Sequence, residues 1–133
     1  MKIRLAIVYI LLAVACTKKD KHDLLATWKV DSVYNYHNGF DMVTYGSDPE
    51  ILYHFQPDGR LRMTLDKEFR YVFYEWHQDT LVYRDNNNNV VERLTVLKVD
   101  QHQLVVQRAK LPIFHEKNQD RYEIRYLSRV KED

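Results

Sequence analysis

From Leu24 onward, apolar and polar residues alternate with a period of two rather than 3.6. Ile51, Tyr53 and Phe55 alternate with Leu52, His54 and Gln56. Leu61, Met63 and Leu65 alternate with Arg60, Arg62 and Thr64, and Tyr122, Ile124 and Tyr126 with Arg121, Glu123 and Arg125. A strand turns successive side chains to opposite faces, so this pattern predicts strands with one buried and one wet face. Beyond the N-terminal region, glycine and proline occur only at Gly39, Gly46, Pro49, Pro57, Gly59 and Pro112, all where the alternation stops. Gln56-Pro57-Asp58-Gly59 is a tight-turn sequence, because Pro presets φ and Gly tolerates positive φ. Asn86 to Asn89 is a second turn, since Asn enters the left-handed region more easily than most residues. Asp100 to Gln103 is a weaker third. Strands are expected over Thr27–Tyr36, Glu50–Gln56, Arg60–Asp66, Phe69–Trp76, Thr80–Arg84, Val90–Val99, Leu104–Ala109 and Asp120–Val130.

Short hairpins joining these strands predict an up-and-down antiparallel meander; no connection is long enough to force a Greek key, though Lys110–Gln119 could make one. Such a sheet must close or stack to bury one face and remove its edges. The expected fold class is therefore all-β, an eight-stranded up-and-down antiparallel barrel over residues 24–133. A transmembrane barrel would put apolar residues outward on strands of about 9–11 residues. Here several strands are shorter, and Arg60, Arg62, Arg121 and Arg125 occupy polar positions, so the apolar face is read as the inside. Phe69–Trp76 is apolar on both faces, with Val72, Tyr74 and Trp76 on the second, which predicts a covered outer side. His37–Pro49 reads as a long loop carrying Phe40, Met42 and Tyr45, expected to lie across the barrel mouth toward Tyr53 and Phe55.

The N-terminus has a different pattern. Lys2 and Arg4 precede an apolar run from Leu5 to Val14, then Ala15-Cys16, then the polar Thr17-Lys18-Lys19-Asp20-Lys21. A basic start, a short apolar stretch and a small-residue junction make a signal peptide over residues 1–15. The run falls short of the roughly 20 residues of a stable span. Cys16 is the chain's single cysteine, so it has no intramolecular disulfide partner. Residues 16–23 then read as a polar tether.

Removal of the signal peptide takes Lys2 and Arg4 from the 20 basic residues, leaving 18 against 19 acidic, a net charge near −1. That balance offers nothing to a nucleic-acid backbone. About 118 residues remain, enough for one core. The six histidines, His22, His37, His54, His77, His102 and His115, show no metal-ligand spacing. Ser32, Ser47 and Ser128 lack glycine elbows, there is no Gly-rich phosphate loop, and Asp48/Glu50 read as solvated loop carboxylates. No enzyme activity, cofactor or metal is expected. The aromatic residues Tyr53, Phe55, Phe69, Tyr71, Phe73, Tyr83, Tyr122 and Tyr126 are assigned to inward faces. They would either fill the barrel or, with Phe40, line a cavity for a mostly apolar ligand.

Leu12-Ala13-Val14-Ala15-Cys16 resembles the bacterial lipobox, with Ala13 where that family usually has Leu. The resemblance implies cleavage before Cys16, lipidation of its thiol and a membrane anchor in the cell envelope. Thr17 after the cysteine resembles lipoproteins sorted to the outer membrane. Each buried acyl methylene contributes about 0.8 kcal/mol, and stable anchoring needs at least two chains. Leu25-Ala26-Thr27-Trp28 resembles the Gly-x-Trp start of lipocalins, with Ala26 in place of Gly. Tyr53-His54-Phe55-Gln56-Pro57-Asp58-Gly59-Arg60-Leu61 and the segment Leu94 to Val106 are similar to small bacterial lipocalin-like lipoproteins. This resemblance implies a buried structural Trp28 at the closed end, beneath a basic side chain for which Arg129 is the candidate. It also implies a binding module for a small hydrophobic ligand. The alternative is a solid-cored structural or inhibitory lipoprotein acting on a protein partner through its surface.

Overall fold

The computed structural model describes residues 19–47, 50–114 and 119–132. A single helical turn, α1 (Lys21–Leu24), is followed by nine strands: β1 (Thr27–His37), β2 (Phe40–Tyr45), β3 (Ile51–Phe55), β4 (Arg60–Leu65), β5 (Glu68–His77), β6 (Thr80–Arg84), β7 (Val90–Val99), β8 (Gln103–Ala109) and β9 (Arg121–Arg129). Strands β3 to β9 pair antiparallel in sequence order. β1 joins β3 on one side and β9 on the other, closing an eight-stranded up-and-down barrel consistent with a lipocalin-like fold. Among the described residues no helix is long and apolar enough to cross a membrane.

The ninth strand, β2, lies where a loop was expected. β1 pairs β3 only over Thr27–Lys29; from Ser32 to His37 the same side of β1 pairs β2. The change of partner coincides with a bulge in β1 between Val30 and Ser32. A bulge adds a residue and bends the strand. The two-residue turn Asn38-Gly39 has φ of 48° and 90°, the doubly positive backbone whose twist matches a hairpin. β1 stays paired with β9 as far as His37, so β2 adds an edge strand to the barrel wall instead of folding over the mouth.

The expected turns form. Gly59 has φ 85° and Asn88 φ 65°. Asp100 accepts the backbone N–H groups of His102 and Gln103, each at 2.8 Å. These bonds hold its carboxyl at a pKa of about 2.

One end of the barrel is closed by the core. Trp28 is fully buried, and its indole N–H donates to the Leu24 carbonyl at 3.0 Å, which ties α1 beneath the barrel. The Arg129 guanidinium stands 5.6 Å from the Trp28 ring centre, a cation–π contact that matches the lipocalin-type expectation. Above this pair, Phe55, Leu61, Leu81, Leu94, Leu104 and Leu127 fill the interior. Within the expected tether, Lys19 donates to Asp79 at 2.6 Å and to the Val96 carbonyl at 2.7 Å, so the chain is bound to the closed end from residue 19 onward.

Candidate functional site

Of the aromatic residues expected to face inward, Phe55 and Tyr83 are buried and Tyr53 packs against the core. Phe69, Tyr71 and Phe73 instead lie on the outside, Phe69 being 63% exposed. Register explains this: buried Leu61 sits opposite Val72, so β5 turns Val72, Tyr74 and Trp76 inward. Trp76 stands opposite buried Leu81, which fixes the same parity from the other side. The second apolar face of β5 is therefore Phe69, Tyr71 and Phe73, and it is exposed where a covered outer side was expected.

The parity of β9 is also the reverse of the expected one. Leu127 stands opposite Leu104, so Glu123 and Arg125 share its inward face while Tyr122 and Tyr126 point outward. On the outer face Tyr36 and Tyr122 stack at 4.9 Å. Phe40 is 81% and Tyr45 84% exposed, and neither covers Tyr53 or Phe55. Cys16, the signal peptide 1–15 and His115 lie outside the described residues, as does Asp48 of the loop carboxylate pair.

The inward turn of β9 places charge in the upper barrel. Arg125 Nη2 lies 2.6 Å from Glu123 Oε1 and 3.2 Å from Glu92 Oε1. Arg108 bridges the same two carboxylates, each at 2.9 Å. Lys110 Nζ reaches Glu123 Oε2 at 3.0 Å and Asn35 Oδ1 at 2.6 Å. Burial works against ionisation of Glu123, but Arg125, Lys110 and Arg108 outweigh it and hold its pKa below the usual carboxylate value. Burial likewise opposes the charge on Arg125, and Glu92 and Glu123 reverse that and raise its pKa. Burial pushes the Tyr83 hydroxyl well above its ordinary pKa and raises Tyr53 as well, so both stay neutral. The arrangement is a structural ion-pair cluster with every carboxylate matched by more than one cation.

The interior below this cluster is filled. The void bounded by Tyr53, Phe55, Tyr83, Leu94, Leu104, Val106, Arg125 and Leu127 measures about 10 Å³, room for about one water molecule. A larger recess of about 270 Å³ opens at the rim, between the ends of β3, β4 and β5. Its walls are Ile51, Tyr53, Met63, Leu65 and Phe69, with Glu68 and Arg70 at its polar side. Of this lining, Tyr53 and Phe69 carry a sequence-based binding assignment; Ile51, Met63 and Leu65 share the apolar alternation without being aromatic, and Arg70 falls on the inward face only once β5 takes the parity of Val72. A groove of about 440 Å³ runs along α1 at the closed end, past Pro57, Tyr74, Trp76 and His77. Among the described residues no three His, Cys, Asp or Glu side chains converge as metal ligands would.

No family model matches the chain, and no curated protein or solved structure shows significant similarity to it. Geometry and chemistry alone therefore carry the functional reading.

Proposed function

We propose that this chain is an envelope lipoprotein whose lipocalin-like barrel is solid and acts through its surface, not by enclosing a ligand. The carrying observation is the filled interior: a void of about 10 Å³ against the roughly 300–1,000 Å³ of small-molecule sites. The reading includes no catalytic step and no cofactor. With Cys16 acylated, only Thr17 and Lys18 separate the anchor from Lys19, about 11 Å of extended chain. Lys19 is bound at the closed end, so that end would sit at the membrane, the outer membrane by the lipobox and Thr17 resemblance. The opposite end, with exposed Phe40, Met42, Leu111, Ile113 and Phe114, would face away from it, toward a protein partner.

The rim recess favours a second reading, a small amphiphile with its tail against Met63 and Leu65 and its anionic head at Arg70. A fluorescent fatty-acid probe separates the two. The surface reading expects no saturable uptake. Stoichiometric binding that Met63→Trp removes by filling the recess would establish the amphiphile reading and overturn the first.

A further inference from the structure

β2 is the one described strand with a single partner: it pairs β1, and its other edge meets no strand among the described residues. The backbone parity of that edge is fixed by Gly46, whose N–H donates to the Asp31 carbonyl at 2.6 Å. Along an antiparallel ladder these directions alternate. Phe40, Met42 and Thr44 therefore bond toward β1, while the N–H and C=O groups of Asp41, Val43 and Tyr45 point outward. Natural edge strands are blunted by Lys, Pro, bulges or a covering segment. Among the described residues β2 has none of these, and Asp41 is its single charge. Phe40, Met42, Val43 and Tyr45 are all exposed.

We infer that β2 is a self-association strand, pairing antiparallel with β2 of a second copy about a two-fold axis at Val43. In this register Val43 exchanges both backbone bonds with its mate, and Asp41 exchanges both with Tyr45 of the other copy. The Tyr45 hydroxyl then lies across from a carboxylate that it can satisfy as a donor. Met42 and Thr44 meet on one face as a non-hydrogen-bonded pair, where side chains approach most closely. The two Asp41 carboxylates are about 13 Å apart along the strands, beyond the roughly 8 Å screening length at physiological salt. A shift of one pair toward the turn would set Asp41 opposite Val43, halve that separation and draw Gly39, with φ 90°, into the ladder. With Val43 on the axis the strand is thus complementary to itself, which is the condition for a closed two-fold interface. The occupant is therefore a second copy in preference to an unrelated extended peptide.

The inference rests on the surface reading above, but the two fail by different measurements: probe uptake at the rim tests that reading whatever the oligomeric state. The processed chain is examined by native mass spectrometry and sedimentation, with detergent micelles in molar excess over protein so that two copies share a micelle only if they bind. Wild type is expected to be dimeric. Val43→Lys and Val43→Glu, each checked for a native circular dichroism spectrum, should weaken dimerisation about tenfold or more. Mixing the two should restore a heterodimer, because Lys and Glu then meet on the axis; misfolded variants would give no such rescue. A wild-type monomer at all accessible concentrations overturns the inference. A dimer indifferent to both substitutions, or a mixture that stays monomeric, also overturns it.

Discussion

Glu123→Gln is the sharpest perturbation of the fold. Glu123 is 5% exposed and is contacted by Arg108, Lys110 and Arg125 at 2.6 to 3.0 Å. Glutamine keeps the shape and removes the charge, which leaves Arg108 and Arg125 with Glu92 alone and Lys110 with no carboxylate in the cluster. Breaking a buried ion pair by removing one partner costs about 3–5 kcal/mol, because the other charge stays buried. Arg108 and Lys110 are partly exposed and can turn to water, whereas the Arg125 side chain is only 17% exposed. The loss should therefore fall at the lower end, about 3 kcal/mol. For a domain of this size that is a fall in Tm of roughly 10–15 °C.

The same substitution has a pH signature. The folded pKa of Glu123 lies below its ordinary 4.5, so its ionised form contributes stability that is complete above that value. This contribution is lost as pH falls through the folded pKa. The gap between wild type and Glu123→Gln should thus be full at neutral pH and shrink below about 4.5, as the wild-type carboxyl takes up the proton that glutamine mimics. Arg125→Met is the control, since Glu123 keeps Arg108 and Lys110 and the cost should be smaller. Denaturant melts from pH 7 down to pH 3 measure all of this. A Tm change under about 3 °C, or a gap independent of pH, would refute the account of the cluster as a matched set of buried charges.

Trp28→Ala should destabilise the domain by roughly 3–5 kcal/mol, the range for deleting a large buried aromatic, read by chemical denaturation; an unchanged midpoint would remove the structural role of the closed-end tryptophan. Cys16→Ser should leave a species without a lipid-shifted mass that no longer partitions into detergent, and a lipidated mutant would end the lipoprotein reading. Replacing Phe40–Tyr45 with a short Gly-Ser link should change Tm by a few degrees at most, since β2 bonds only to β1 and loop closure depends weakly on length. The same deletion should abolish self-association, and a lost fold would instead make β2 part of the core.

Strand positions were legible because alternation and turn chemistry are local. Each of the eight expected strands forms with ends within two residues of those expected. The ninth was legible in principle: Asn38-Gly39 is the strongest short hairpin signal a sequence carries. That signal competes with a segment, Phe40–Tyr45, whose apolar residues have no buried face to mark them as a strand.

Which face of a strand points inward is a different kind of question, and β5 and β9 show why. Phe69-Tyr71-Phe73 and Val72-Tyr74-Trp76 are equally apolar, so period alone leaves the parity of β5 undecided. In β9 the rule that apolar residues face in selects Tyr122, Ile124 and Tyr126. It fails because the inward partners of Glu123 and Arg125 are Arg108 and Glu92, on strands 15 and more residues away. A charged residue can face a barrel interior only when its counter-charges arrive from neighbouring strands. Single-strand hydropathy counts it as outward by construction. Parity is fixed by an anchor buried on both sides of a pair, Leu61 with Val72 and Leu104 with Leu127. The correct faces then follow by counting twos from that anchor. The same counting turns the expected aromatic cavity into an aromatic exterior on β5 and β9. It also leaves Phe55 and Tyr83 to fill the centre above Trp28, and so moves the functional reading from the barrel's inside to its surface.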